Sequence, residues 1–186
     1  MTITVDTNVV NEEGMSAIKE AIIGLDVQIA KTTVTSREQG TEFQEGDLVE
    51  TGVWGESRWG RFKWGEQLRE TFVLNESRLG EGLLGSETTA SLYETLLKLI
   101  SNGSFPPKGQ RSDLTEPQRR QLRDVMILAT HAREGRDIFV SNDMRAYGRP
   151  GSVLRDKLEG LCGTRIMTKE EFVSHCAELK SSELSS

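Results

Sequence analysis

The 186 residues carry a formal net charge of −6 at pH 7 and include two cysteines, Cys162 and Cys176. This length corresponds to one domain, with enough residues to bury a core without disulfide or metal cross-links. The negative charge argues against a protein that coats nucleic acid through a basic surface. The sparse cysteines exclude a disulfide framework, and no apolar run is long enough to cross a membrane. With no secretory signal in MTITVDTNVV, a reduced cytoplasmic protein without a membrane partner is expected.

Hydrophobic periodicity and capping signals predict alternating strands and helices. In chain order these are a strand at 2–6, a helix from Asn11 to Leu25, a strand at 27–35, a helix at 87–101, a helix from Thr115 to Gly135, a strand at 137–141, a helix at 152–160, a strand at 164–168 and a helix at 169–179. This alternation predicts an α/β fold with a parallel sheet. We therefore expect a single domain over 1–179, with an insertion at about 40–112 and a disordered tail at 180–186.

The predicted insertion contains an unusual repeat with a period of five. It places large apolar residues at Trp54, Trp59, Trp64, Leu74, Leu79 and Leu84, and Arg69 interrupts the series. A period of five suits neither an α-helix nor a flat strand. Two interpretations remain open: a packed surface insertion, or a platform whose tryptophans stack on bases while neighbouring basic residues bind phosphates.

Three aspartates are placed where their carboxylates can meet. Asp6 and Asp143 lie at or just beyond the ends of predicted strands, and Asp124 lies on the polar side of a predicted helix. Ligands of parallel sheets bind at the carboxyl ends of the strands, which share one edge. Carboxylates at close range repel unless a cation neutralises them. Mg²⁺ or Mn²⁺, which prefer oxygen ligands, are the expected metals.

Four segments in order strengthen this interpretation: VDTNVV, DVMILATHA, DIFVSND and RIMTKEEF. Together they resemble the PIN-domain ribonucleases over residues 1–35 and about 113–178. The resemblance implies a three-layer α/β/α fold whose central parallel sheet has the strand order 3-2-1-4-5. It also implies an endonuclease that needs Mg²⁺ or Mn²⁺ and acts mainly on RNA.

The family pattern can be carried over residue by residue. Asp6 corresponds to the first acid, Asp124 to the third and Asp143 to the fourth, and these three would bind the metal. The second acid is matched by Glu38, with Glu42 as the alternative. Residues implied to support the acids or contact substrate are Asn8, Ser141, Asn142 and Arg145.

Other classes lack residues that their chemistry requires. A haloacid-dehalogenase-type phosphatase needs a second aspartate where Asn8 stands. A dinucleotide-binding fold needs a glycine-rich turn after the first strand, and a phosphate-loop NTPase needs GxxxxGK[ST]. Two alternatives stay open: a catalytically inactive PIN-like binding module, and the toxin of a toxin–antitoxin pair. The sequence also leaves open whether the protein binds an antitoxin or another protein partner, and whether it forms a homodimer.

Overall fold

The computed structural model describes residues 1–32, 34–35, 53–54, 62–63, 66–68 and 87–183. The strands are β1 Thr2–Val5, β2 Gln28–Thr32, β3 Val53–Trp54, β4 Phe62–Lys63, β5 Glu66–Leu68, β6 Ile138–Val140 and β7 Arg165–Met167. The helices are α1 Glu12–Ala21, α2 Glu87–Ile100, α3 Glu116–Arg133, α4 Met144–Tyr147, α5 Val153–Cys162 and α6 Lys169–Glu183. Within the described ranges, no helix has the length and apolar character needed to span a membrane.

Five of these strands form one sheet in the order β5-β2-β1-β6-β7. All four neighbouring pairs in this sheet are parallel, and β3 pairs with β4 in a separate antiparallel pair. The predicted α/β class and parallel sheet are therefore confirmed. When the five strands of this sheet are numbered from 1 to 5 in chain order, their order across the sheet is 3-2-1-4-5.

Helices cover both faces of the sheet. Successive residues of a strand point to opposite faces, so one strand contributes side chains to two cores. Ile138 and Val140 pack into a core with α1 and α6, which contact each other. Phe139, between them, packs into a second core with α2, α3 and α5. The described residues thus form three layers, α/β/α.

Part of the stretch predicted as an insertion belongs to the domain framework. Strand β5 pairs with β2 at Ala30–Glu66, Lys31–Gln67 and Thr32–Leu68. Helix α2 packs on α3, and its Leu96 and Leu97 are buried in the second core. Strand β5 and helix α2 both lie within the predicted insertion at about 40–112, and they contribute to the sheet and to the second core. Most of the five-residue repeat lies outside the described residues.

The predicted disordered tail also needs correction. Helix α6 continues to Glu183, four residues beyond the predicted end of helix at 179. The Ser181 hydroxyl donates to the Ala177 carbonyl oxygen at 2.9 Å, and the Ser182 hydroxyl donates to that of Leu179 at 2.7 Å. Both serine side chains bond back to carbonyl oxygens of the same helix, which is a contact that serine makes within helices. Residues 184–186 lie outside the described ranges.

Strand β7 is the outermost strand on its side among the described residues, and side chains close its edge. The Ile166 amide donates to Glu159 Oε1 at 2.7 Å. The Ile166 carbonyl oxygen accepts a bond from Arg155 Nη1 at 3.3 Å. Arg155 is buried and also donates to the Gly148 carbonyl oxygen and, at 2.7 Å, to Glu171 Oε2. One arginine therefore joins the strand edge to α6 and to the turn after α4.

His131 is a core residue of α3. Its ring lies 5.4 Å from that of Phe139, and its Nε2 lies 2.6 Å from Thr164 Oγ1. Burial, the largest cause, lowers the pKa of His131 from 6.5 to about 3. The neutral imidazole is therefore the form that the fold accommodates.

We expect the free energy of unfolding to fall with acid because of His131. The unfolded chain binds a proton at this histidine near pH 6.5, whereas the folded chain binds it only near pH 3. This contribution is complete above about pH 6.5 and is lost towards pH 3, by about 1.4 kcal/mol per pH unit. Urea unfolding at pH 7.5 and pH 5 measures it. His131→Gln should flatten the pH dependence, whereas the control His175→Gln should not; equal slopes in wild type and His131→Gln would contradict the assignment.

Candidate functional site

Asp6 is a buried hydrogen-bond acceptor immediately after β1. It is 3% exposed, and its amide donates to the Val140 carbonyl oxygen at 3.0 Å, continuing the β1–β6 pairing. Its Oδ1 accepts the Thr7 amide at 2.8 Å. Its Oδ2 accepts Asn8 Nδ2 and the Ser141 hydroxyl, both at 2.7 Å. A buried carboxylate with several donors is well compensated.

The same network reaches the loop after β6. The Ser141 hydroxyl, which donates to Asp6, accepts the amide of Asp143 at 3.1 Å. Asn8 Oδ1 accepts the Asn142 amide at 2.9 Å, and Asn142 Oδ1 accepts the Lys169 amide at 2.9 Å. The loop bearing Asp143 is therefore tied to the turn after β1 and to the start of α6.

Asp143 caps the short helix α4. Its Oδ1 accepts the amides of Arg145 and Ala146, each at 2.9 Å. Aspartate is one of the preferred residues at this position because it satisfies amides that the helix leaves without partners. These bonds fix the carboxylate at the carboxyl end of β6.

Asp124 reaches the same region from α3. This helix begins at Glu116, and Gln118 Oε1 accepts the Thr115 amide at 2.8 Å. The hydroxyl of Tyr147, at the end of α4, donates to the Asp124 carbonyl oxygen at 3.1 Å. Because Tyr147 is buried against Phe139, with ring centroids 5.0 Å apart, this contact fixes α4 against α3.

Asp124 and Asp143 line one cavity of about 300 Å³. The other lining residues are Ile100, Pro117, Arg120, Gln121, Arg145 and Ala146. Two carboxylates and two guanidinium groups thus share a single concave surface. Such a mixed lining suits a ligand that carries both a cation and anionic oxygens, as a metal-bound phosphate does.

The structure brings most of the predicted site residues together at one edge of the sheet. Asp6, Asn8, Ser141 and Asn142 form one hydrogen-bonded network, and that network holds the backbone of Asp143. The predicted contact between Asn8 and the first acid is present. Asp6 does not line the cavity that Asp124 and Asp143 share.

Two further observations bear on the predicted metal ligands. Glu38 and Glu42, the candidates for the second acid, lie outside the described residues. Within the part of the chain that the structure describes, no three His, Cys, Asp or Glu side chains group closely enough to hold a metal ion. Asp124 and Asp143 therefore line one cavity, whereas Asp6 is hydrogen-bonded to the loop that carries Asp143.

Sequence reasoning missed the contributions of Tyr147, Lys169, Arg120 and Gln121. Arg120 carried a usable signal, because it lies four residues before Asp124 and so on the same helix face. Tyr147 and Lys169 gave none, since their roles depend on which elements pack together. Tyr147 acts through its hydroxyl and Lys169 through its backbone amide, and no sequence pattern predicts either contact.

Comparison of the chain with protein-family models and with curated proteins finds no match in either set.

Proposed function

We propose that this chain is a Mg²⁺- or Mn²⁺-dependent endoribonuclease with a PIN-like fold. The observation that carries the proposal is the cavity lined by both Asp124 and Asp143 at the carboxyl ends of the parallel strands. In α/β sheets this is the edge at which ligands bind. The order of the sheet strands and the two helical layers are also those that the resemblance implies.

The carboxylates of Asp124 and Asp143, which share the cavity, are the groups that would hold the metal. Asp6 would act from outside the cavity, through its bond to Ser141 in the loop that carries Asp143. The oxygen donors of Asp124 and Asp143 suit a hard divalent cation, and a cavity beside them leaves room for water and substrate. When bound, the ion would polarise a phosphate oxygen and lower the pKa of a coordinated water.

The protein's own residues would position the reacting groups. Asn8 and Ser141 hold Asp6 and, through Ser141, the backbone of Asp143. Arg145, exposed beside Asp143, supplies a cation for the phosphate backbone of RNA. An arrangement fixed in advance by hydrogen bonds costs little reorganisation when substrate binds.

The direct test is cleavage of a single-stranded oligoribonucleotide by purified protein. We expect cleavage with Mn²⁺ or Mg²⁺, complete loss with excess EDTA, and recovery when Mn²⁺ is restored in excess. The products should be resolved on a denaturing gel, with a DNA oligonucleotide of the same sequence as the comparison. RNA binding without cleavage at any metal concentration would favour a non-catalytic PIN-like module, and cleavage indifferent to chelator would refute a metal mechanism.

The proposed activity is compatible with two biological roles. A cytoplasmic nuclease of this kind fits either RNA processing or the toxin of a toxin–antitoxin pair. Co-expression with a candidate antitoxin separates the two, because a toxin should arrest growth when expressed alone. Asp143→Asn should relieve that arrest if cleavage causes it.

A further inference from the structure

Arg120 lies beside the acidic pair without a role in the arrangement described so far. It precedes Asp124 by four residues on α3, which places the two on one helix face about 6 Å apart along the axis. Both residues line the cavity that Arg145 also lines. The cavity therefore has guanidinium groups from two different elements, α3 and α4.

Among the described residues Arg120 forms an ion pair with Glu116, and this pair is weak and exchangeable. Arg120 Nε lies 3.5 Å from Glu116 Oε1, and the two side chains are 73% and 59% exposed. Arg123 Nη1 lies 3.8 Å from the same carboxylate oxygen. Exposed ion pairs of this kind contribute little to stability and are screened by salt. A phosphate could therefore replace Glu116 as the partner of Arg120 at small cost.

We infer that Arg120 binds a backbone phosphate of the RNA next to the phosphate that is cut, and that Glu116 competes with the RNA for it. The inference depends on the proposed function and identifies a residue that sets substrate affinity. Guanidinium groups bind phosphate oxygens in a matching planar geometry. Arg120 contacts the neighbouring phosphate, so its removal weakens substrate binding and leaves the chemical step intact.

The test is the dependence of KM on salt for an oligoribonucleotide cut with Mn²⁺. Arg120→Ala should raise KM about 3- to 5-fold at low salt and leave kcat unchanged. The slope of log KM against log salt should fall by about 0.7, which is the loss of one phosphate contact to a single strand. The matched control is Arg119→Ala, which removes the same charge from the same helix outside the cavity lining.

Glu116 provides an independent arm of the test. Glu116→Gln should lower KM more in the wild-type background than in the Arg120→Ala background, because part of its effect comes from releasing Arg120. An equal decrease in KM in both backgrounds would show that Glu116 does not compete for Arg120. A thermal midpoint unchanged in each variant shows that the fold is intact.

The outcomes separate the two proposals. If wild type cuts RNA but Arg120→Ala leaves both KM and its salt slope unchanged, the inference about Arg120 is overturned and the nuclease proposal stands. An equal effect of Arg119→Ala also overturns it, because surface charge alone would then explain the change. Wild-type protein that does not cut RNA overturns the proposed function and this inference together.

Discussion

Replacing Asp143 by asparagine is expected to lower metal-dependent RNA cleavage at least about 100-fold while leaving the fold intact. Asparagine cannot supply the negative charge that a divalent cation requires. It can, however, accept the Arg145 and Ala146 amides through its side-chain oxygen, as Asp143 does. Asparagine and aspartate are nearly equal as helix N-caps, so the stability of α4 should be retained.

The comparison with Asp143→Ala separates catalysis from capping. Alanine removes both functions, so it should also lose about 1 kcal/mol of the free energy of unfolding. Asp156→Asn serves as the charge-matched control, because Asp156 is exposed on α5 and does not line the cavity. Initial cleavage rates in Mn²⁺ and urea unfolding measure the two effects. Full cleavage activity in Asp143→Asn would remove this carboxylate from the proposed metal site.

Arg155→Met is expected to give the largest loss of stability, about 3–5 kcal/mol of the free energy of unfolding. The side chain is only 5% exposed, and methionine fills a similar volume without any donor. The Gly148 and Ile166 carbonyl oxygens would each lose a hydrogen bond, and Glu171 would lose its cation. The two carbonyl oxygens would then be buried acceptors that have lost a partner, which carries a desolvation cost. Glu171 is 37% exposed, so water can solvate its carboxylate and it adds less to the loss.

Glu171 supplies a second readout for the same variant. Burial acts to raise its pKa, but bonds from the Thr168 amide and from Arg155 outweigh burial and lower it. Loss of Arg155 should therefore move the pKa of Glu171 upwards, which NMR titration of the carboxyl carbon measures. The control Arg165→Met changes an exposed arginine of β7 and should alter stability by less than about 1 kcal/mol. A stability loss in Arg155→Met no larger than in the control would contradict the role given to Arg155.

The sequence was sufficient to place Asp6 and Asp143, because both follow short strands rich in β-branched or aromatic residues. A parallel sheet then brings their strand ends to one edge, as the Val5–Val140 register shows. Asn8 and Ser141 could be associated with Asp6 through the family resemblance. The position of Asp124 followed from helix periodicity, which is a strong local signal over the 18 residues of α3.

Other features could not be predicted, because they depend on tertiary partners. Glu66–Leu68 forms β5 although Glu-Gln-Leu has neither alternation nor β-branched residues, so its pairing with β2 has no local signal. Arg155 appears in the sequence as one charged residue of a helix, and only the approach of β7 gives it a buried role. The composition around Ser181 and Ser182 predicts a disordered tail, whereas the structure continues α6 through both residues.

The closed edge of β7 has a consequence for how copies of this chain can meet. A strand that added to β7 would need the Ile166 amide and carbonyl oxygen, and both are already bonded to side chains of α5. Its addition would have to expel Glu159 and part of the Arg155 network first. Pairing of exposed strand edges is a common start of aggregation and of domain exchange. This end of the sheet is therefore protected against both by two side chains of the adjacent helix.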